Sequence, residues 1–190
     1  MPTLIQVEDL TRDYQLTRRR EGVLGGLKDL VRPRKRTLRA VDRVSFHIDQ
    51  GEMVGYIGAN GAGKSTTIKM LTGILTPTSG EVSVGGLVPY RQRESYTRHI
   101  GVVFGQRTQL WWDLAVVESF RLLQRIYEVP EVRYRERMAF FDQLLGLSEF
   151  LHQPVRKLSL GQRMRCDLAA ALLHEPRVLF LDEPTIGLDV

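Results

Sequence analysis

A glycine-rich stretch ending in lysine and serine, at residues 58–65, carries the strongest chemical signal in the sequence. It reads Gly-Ala-Asn-Gly-Ala-Gly-Lys-Ser and fits the pattern G-x-x-x-x-G-K-[ST] in full. Glycines let backbone N–H groups turn towards phosphates, Lys64 supplies charge for the β- and γ-phosphates, and the Ser65 hydroxyl suits Mg²⁺. This phosphate loop predicts a nucleoside triphosphate site, whose candidate residues are Gly58, Asn60, Gly61, Ala62, Gly63, Lys64, Ser65 and Thr66.

Two adjacent carboxylates, Asp182 and Glu183, follow the apolar run Val178–Leu181. A buried strand has no use for paired acids at its tip unless a cation or a reacting water lies there. Asp182 therefore suits the Mg²⁺ shell, and Glu183 suits accepting a proton from the attacking water. The alternative is that the two acids merely begin a solvated turn before Pro184. A phosphate loop alone does not distinguish ATPases, GTPases and small-molecule kinases, so the other motifs must decide.

Short apolar runs alternate with helical patterns, and these elements must position the chemical groups. Alternation predicts a pair of half-buried strands at Thr3–Glu8 and Val41–Ile48. Further strands are predicted at Met53–Ile57, Glu81–Val84, His99–Phe104 and Val178–Leu181, the last of the buried parallel type. Helices are predicted from Lys64 to Leu71, from Val116 to about Leu151 with a division at Pro130, and over Arg163–Leu173. Strands separated by helices indicate an α/β fold with a mostly helical insertion at 116–158.

The composition is typical of a globular protein in a reducing compartment. The chain of 190 residues suffices for one domain with a core. No apolar run approaches the roughly 20 residues that cross a bilayer, and the N-terminus lacks the basic start of a secretory signal. The single cysteine, Cys166, excludes an internal disulfide. These features predict a cytoplasmic protein.

The positive charge is concentrated in one segment, residues 17–39. Its net charge is +7, because it contains nine Lys or Arg and two acids, whereas the whole chain carries +5. A nucleic-acid-binding domain usually spreads its charge over a folded face, so nucleic acid is not an expected partner. The segment also carries apolar residues at helical spacing: Val23, Leu24, Leu27, Leu30 and Val31. This pattern suits an amphipathic helix near anionic lipid, and the alternative is a solvated basic loop with one helix packed on the domain.

A short motif at Leu158–Gln162, Leu-Ser-Leu-Gly-Gln, directly precedes the last predicted helix. By itself, Ser159 is a helix N-cap and Gly161 a loop residue. Together with the phosphate loop, the acidic strand end, Gln106 after its strand, and Gly-Leu-Asp at residues 187–189, the order of motifs is diagnostic. The sequence resembles the ATP-binding cassette (ABC) ATPases over essentially the whole chain.

The resemblance implies a P-loop NTPase fold of the ABC type, with an N-terminal antiparallel β portion and a helical subdomain. It implies two subunits in a head-to-tail sandwich around two ATP molecules. Each ATP would lie between the phosphate loop of one subunit and the signature motif (residues 158–162) of the other. The signature residues that would contact ATP are Ser159, Gly161 and Gln162. Magnesium would be held by Ser65, Gln106 and Asp182.

Individual matches to the family also imply roles for single residues. Gln106 matches the glutamine that senses Mg²⁺ and γ-phosphate, and Glu183 matches the catalytic base, with Lys64 as the third catalytic group. Asp189 matches an aspartate that contacts the second subunit. Tyr14 resembles the aromatic residue that stacks on adenine, and a plain surface tyrosine is the alternative.

The sequence departs from the family pattern in two places. Leu160 stands where the family most often has glycine, which puts the geometry of the signature loop in doubt. The family's switch histidine and last sheet strands would lie beyond Val190. The chain is therefore expected to be a fragment of a longer protein.

The resemblance is strongest to separate ATP-binding subunits of bacterial exporters, which predicts a membrane permease as partner and a location at the inner face of the cell membrane. Trp111 and Trp112 are interpreted as anchors for a permease helix, and the alternative is that one or both are buried in the domain core. The basic segment resembles, loosely, the N-terminal insert of polysaccharide-exporter ATPases. The alternative function is a soluble ABC ATPase of translation or DNA repair, although repair members carry a long coiled coil where this chain has room only for a compact subdomain.

Overall fold

The computed structural model describes residues 2–18, 34–105 and 107–183, which form two compact units. One unit extends to Arg93, and the other starts at Glu94. The first contains a three-stranded sheet and the phosphate loop, and the second contains a two-stranded sheet and most of the helices. This combination confirms the predicted α/β class.

The sheet of the first unit is antiparallel and has the strand order β2-β1-β3. Its strands are β1 (Thr3–Arg18), β2 (Arg34–Asp49) and β3 (Ser79–Val84). Val7 of β1 lies opposite Phe46 in β2 and Val82 in β3. Ile5 and Val7 are both buried. They lie on the same face of the sheet, because alternate side chains of a strand point to the same face. The predicted strand pair is confirmed, and both strands are longer than predicted.

Beyond the third strand, β1 and β2 continue as a two-stranded ribbon (residues 13–18 and 34–39). The last pair between β1 and β3 joins Thr11 to Ser79, whereas β1 and β2 stay paired as far as Arg18 and Arg34. Both ends of the basic segment are therefore strand rather than a separate element. The helix predicted over residues 23–31 lies outside the described residues.

The apolar run Met53–Ile57 before the phosphate loop is not a strand, so this prediction was wrong. Residues 52–59 have no regular secondary structure and are exposed, with Met53 at 99% and Ile57 at 93% exposure. A strand requires a neighbour that bonds its backbone N–H and C=O groups. Neither of the two described sheets pairs with this run. Apolar composition alone was therefore insufficient to predict a strand here.

The sheet of the second unit consists of β4 (Ile100–Phe104) and β5 (Val178–Asp182), which pair in parallel. The parallel type predicted for Val178–Leu181 is confirmed. The α-helices of the described residues are α1 (Lys64–Leu71), α2 (Arg93–Thr97), α3 (Val116–Ile126), α4 (Glu131–Leu145) and α5 (Leu160–Leu172). Two 3₁₀ turns lie at Leu147–Glu149 and Val155–Lys157. The predicted division at Pro130 is confirmed, since Pro130 is the N-cap of α4.

One hydrophobic cluster joins the helices of the second unit. Phe120 of α3, Phe141 of α4 and Cys166 of α5 are all buried within it. Burial raises the pKa of the Cys166 thiol to about 12. The thiol is therefore protonated at neutral pH and packs as a small apolar group. In the part of the chain that the structure describes, no helix combines the length and apolar character that a membrane span requires.

The burial of β5 differs from the prediction of a strand covered on both faces. Phe180 is buried, but Leu179 is 36% and Leu181 is 43% exposed. Successive side chains of a strand point to opposite faces, so one face of β5 is covered and the other is not. The apolar run correctly predicted a parallel strand, but it did not predict which faces are covered in the described residues.

Candidate functional site

The phosphate loop leads directly into α1, as the motif predicts. Lys64 is the first residue of α1, and its Nζ donates hydrogen bonds to the carbonyl oxygens of Gly58 at 2.7 Å and Ala59 at 2.9 Å. The ammonium group is thus held against the backbone of its own loop. An ammonium group donates up to three hydrogen bonds, so a phosphate oxygen would take the third or replace one of these two carbonyls.

The first turn of α1 adds backbone donors to the same loop. Gly63 is the N-cap in a left-handed conformation, and no side chain caps this helix end. The first N–H groups of a helix have no acceptor within the helix and carry partial positive charge. Lys64, Ser65 and Thr66 form this turn and are partly buried. Backbone amides, helix dipole and lysine charge together make an anion site.

Gly63 is required by its backbone conformation and by its surroundings. Its φ is 86°, and a Cβ there would collide with the carbonyl oxygen of Ala40 in β2. Gly61 has a similar φ of 82°, but a Cβ there would meet no atom within 4 Å. Both positions favour glycine, and Gly63 also fixes the end of the loop against the sheet.

We expect Gly63→Ala to destabilise the full-length protein more than Gly61→Ala. Alanine in the left-handed region costs about 1 kcal/mol at either position. At Gly63 the collision with Ala40 adds about 1–3 kcal/mol, because the loop or β2 must shift. Urea unfolding of the two variants measures the difference. Equal losses of stability would contradict the close contact between the loop and β2.

Tyr14, the predicted adenine-stacking residue, lies in β1 and pairs with Leu38 of β2. Leu38 is two residues from Ala40, on which Gly63 rests. The Arg12 guanidinium lies 4.8 Å from the centroid of the Tyr14 ring. The structure therefore brings Tyr14 and the phosphate loop to the same part of the first sheet, with Arg12 against the tyrosine ring. Stacking on adenine stays a prediction.

The acidic strand end lies beside the end of β4. Asp182 is opposite Phe104 in the parallel register, and the N–H of Gly105 donates to the Asp182 carbonyl at 2.9 Å. A Cβ at Gly105 would collide with the carbonyl oxygen of Glu183, so only glycine allows this approach. The side chain of Glu183 is exposed. The two acids thus flank the segment that leads into Gln106, which itself lies outside the described residues, as does Asp189.

The signature motif forms the N-terminus of α5 and caps it. Ser159 Oγ accepts a hydrogen bond from the Gln162 backbone N–H at 3.2 Å, and Gln162 Oε1 accepts one from the Ser159 N–H at 2.9 Å. This reciprocal pair is a capping box. Leu160, where the resemblance expects glycine, is 37% exposed, so its side chain is accommodated at the surface without breaking the pair. Ser159 therefore caps the helix and is also exposed.

Asp167 on α5 is a buried carboxylate that none of the sequence motifs includes. It is 5% exposed, and its Oδ1 accepts hydrogen bonds from Thr108 Oγ1 at 2.8 Å and from the Gln109 N–H at 3.0 Å. Burial raises the pKa of Asp167 to about 6, although these bonds and the charge of Arg163 lower it. The carboxyl group therefore titrates closer to neutral pH than an ordinary aspartate does. Its signal in the sequence is a single acid within the apolar run Cys166–Leu173.

Trp111 and Trp112 lie on the surface of the second unit and not in its core. They are 40% and 48% exposed, respectively. The Arg163 guanidinium lies 4.7 Å from the ring centroid of Trp112. This arrangement removes the interpretation that both are core residues. Contact with a permease stays a prediction.

Comparison with known proteins identifies a family and several similar chains. A family model described as "ABC transporter" matches residues 41–186. The chain is 33% identical over 157 residues to the ABC transporter ATP-binding protein NatA of Bacillus subtilis, covering 83% of this chain and 64% of that protein. It is 31% identical over 189 residues to the bacitracin transport ATP-binding protein BcrA of Bacillus licheniformis, covering 100% of this chain and 54% of that protein. The chain thus spans less than two thirds of the length of these relatives.

A solved structure shares the fold. The dimeric ATP-binding cassette MJ0796, in a post-hydrolysis state bound to ADP and Pi, matches with a TM-score of 0.76 and 26% identity. The match covers 98% of this chain and 76% of that one. The predicted ABC-type P-loop fold is confirmed by this similarity.

Proposed function

This chain belongs to the ABC transporter family of ATP-binding proteins, and from that membership we propose that it binds and hydrolyses ATP to drive export through a separate permease. The observation that carries the proposal is the phosphate loop. Lys64 is held inside a glycine loop at the N-terminus of α1, on a backbone that only glycine permits at residue 63. This geometry suits a triphosphate.

We propose ATP together with Mg²⁺ as the ligand, from the chemistry of the motif residues. The backbone at the start of α1 and the Lys64 ammonium would bind the β- and γ-phosphates. The Ser65 hydroxyl and the Asp182 carboxylate are hard oxygen donors of the kind that Mg²⁺ takes, and Gln106 would add an amide oxygen. When bound, Mg²⁺ neutralises charge on the phosphates.

Glu183 is the residue we assign to proton transfer. Its side chain is exposed directly after the end of β5, next to the metal-binding candidate Asp182. A carboxylate in this position can accept the proton of a water that attacks the γ-phosphate. Asp182 would hold the metal, so the two adjacent acids would have different roles, one in metal binding and one in proton transfer.

We infer that two such subunits form the complete ATP site. The cassette MJ0796 is dimeric, and the same arrangement here would bring Ser159, Gly161 and Gln162 of one subunit to the ATP held by the other. The exposure of Ser159 and Leu160 at the start of α5 supports this inference. Asp189 would contact the second subunit.

Transport is favoured over a soluble role in translation or repair. The relatives reported above are transport proteins by description, one of them for bacitracin. The region between Gln106 and Ser159 contains only α3, α4 and short 3₁₀ turns in a compact cluster, with no long coiled coil of the kind that repair members carry. The protein would work at the inner face of the membrane, bound to its permease.

The test is to reconstitute the full-length protein with a candidate permease, a multi-span membrane protein encoded by a neighbouring gene. We expect ATP hydrolysis that the permease stimulates in proteoliposomes and that Lys64→Ala abolishes in the same preparation. ATP hydrolysis at a rate that the permease does not change would favour the alternative of a soluble ABC ATPase. Absence of ATP binding would contradict the whole proposal.

The basic segment is a candidate for contact with anionic lipid or with the permease. The described ends of the segment lie in the ribbon, beyond Thr11, where pairing with β3 ends. Within the ribbon, Arg39 donates to both carboxylate oxygens of Asp13, at 2.9 and 3.2 Å, which lowers the pKa of Asp13. Arg39 is thus paired with an acid in its own sheet. The positive charge offered to a partner must come from the other basic residues.

We expect joint neutralisation of Arg18, Arg19, Arg20, Arg34, Lys35 and Arg36 to reduce association of the full-length protein with anionic vesicles or with its permease. Each charge near an anionic surface contributes about 1 kcal/mol at most, so six together matter. Vesicle sedimentation at low and high salt measures the effect, which is larger at low salt.

A variant with Lys at the five arginine positions and Arg at position 35 keeps the charge and is the matched control. It should bind as the wild type does. Soluble ATPase activity should change little in either variant, because none of these residues matches a nucleotide-site motif. Normal association of the neutralised protein with both vesicles and permease would refute this role.

A further inference from the structure

Two hydrogen-bonded contacts hold the segment on either side of Gln106. Before it, the Gly105 N–H donates to the Asp182 carbonyl at 2.9 Å. After it, Thr108 Oγ1 and the Gln109 N–H donate to Asp167 Oδ1 at 2.8 and 3.0 Å. The segment therefore connects the acidic strand end to the helix that the signature motif begins.

The segment contacts both the side chain and the backbone of Asp167. Besides the bonds to the carboxylate, Gln109 Nε2 donates to the backbone carbonyl of Asp167 at 2.8 Å. Thr108 Oγ1 in turn accepts from the Leu110 N–H at 3.1 Å, which orders the turn that follows. Side chain and backbone of one helical residue thus bind two consecutive residues of the segment.

These bonds lie beside a cavity. It has a volume of about 180 Å³ and is lined by residues of the segment and of α5, among them Arg107, Leu160, Arg163 and Asp167. The hydrogen bonds to Asp167 bridge the two elements at the edge of this cavity. A buried carboxylate with these donors is also costly to leave without them.

We propose that Asp167 is a positioning residue, which ties the segment carrying Gln106 to the signature helix so that the two move as one body. This inference rests on the proposed function, since Gln106 and the signature motif matter only if the chain hydrolyses ATP. ATP that displaces Gln106 in one site would then also displace the signature motif, which contacts the ATP in the other site of the dimer. Loss of Asp167 should therefore slow turnover without weakening ATP binding.

The test uses variants of the full-length protein in two readouts. Asp167→Ala removes the carboxylate that accepts the bonds from Thr108 Oγ1 and the Gln109 N–H. Thr108→Val removes the first of these donors at nearly constant side-chain shape. We expect kcat for ATP hydrolysis to fall about 10-fold in Asp167→Ala and about 5-fold in Thr108→Val, with KM changed less than about twofold. Thr108→Ser restores the hydroxyl and should restore kcat.

Asp142→Ala is the matched control for loss of a structural carboxylate. Asp142 Oδ1 accepts from the Ser148 N–H at 2.7 Å in the helical region, and this bond involves neither Asp167 nor Thr108. This variant should keep the wild-type kcat. A drop equal to that of Asp167→Ala would mean that general loss of structure explains both, and would overturn the inference.

Hydrogen exchange of the peptide spanning residues 104–113 is the second readout and needs no activity. The amide of Gln109 should exchange faster in Asp167→Ala and Thr108→Val than in the wild type. Unchanged exchange, or unchanged kcat in an active protein, would overturn the inference. If the wild type binds no ATP, the proposed function fails instead, and the exchange result alone decides whether Asp167 holds the segment. If Asp167→Ala does not fold, Thr108→Val and its serine rescue decide.

Discussion

Glu183→Gln in the full-length protein is expected to lower the rate of ATP hydrolysis by about 10²- to 10⁴-fold, the usual contribution of a general base. Glutamine keeps the size of the side chain and its acceptor oxygen, but it cannot take the proton of the attacking water. Because Glu183 is exposed, the substitution buries no new polar group and should leave the fold intact. Single-turnover hydrolysis measures the rate.

ATP affinity should be almost unchanged in Glu183→Gln, so the variant should accumulate in its ATP-bound form. If ATP joins two subunits, size-exclusion chromatography with ATP should then show a stable dimer. Glu149→Gln removes a surface carboxylate from the 3₁₀ turn Leu147–Glu149 and should behave as the wild type. Hydrolysis by Glu183→Gln at the wild-type rate would mean that another group is the base.

Lys64→Ala is expected to weaken ATP binding by about 10- to 100-fold. The reason is the loss of charge-assisted hydrogen bonds to the phosphates, which contribute about 1.5–3 kcal/mol. The carbonyls of Gly58 and Ala59, which Lys64 now occupies, lie in an exposed loop and can bond to water instead. The melting temperature should therefore change little. Titration calorimetry measures the affinity.

Lys69→Ala is the matched control for this prediction. Lys69 lies on the same helix, is exposed, and sits in its last turn, away from the phosphate loop. Its loss removes the same charge without touching the site. Equal ATP affinity of Lys64→Ala and the wild type would contradict the role of the phosphate loop.

Local features of the sequence were sufficient to predict the parts of the site that are built within a few residues. The phosphate loop and α1 are contiguous, so the glycine spacing and the following helix specify them together. The same holds for the Ser159–Gln162 cap, whose two bonds span three residues. The order of the motifs then predicted the family, which the comparisons confirm.

Burial in the two sheets could not be predicted in this way. Met53–Ile57 and Val178–Leu181 are similarly apolar, yet the first is an exposed irregular run and the second is a parallel strand with one exposed face. Whether an apolar run becomes a strand depends on the backbone groups of its neighbours. Those neighbours are distant in sequence, and composition does not identify them.

The sequence by itself therefore determined the chemistry of this protein: a triphosphate loop, a pair of acids after an apolar run and a signature motif, each encoded by adjacent residues. Only the tertiary structure decided how the acids and the signature helix are connected. Thr108 and Asp167 are 59 positions apart, and no periodicity links them. Their hydrogen bond exists because the fold brings α5 against the end of β4, and a contact of that kind is a property of packing rather than of pattern.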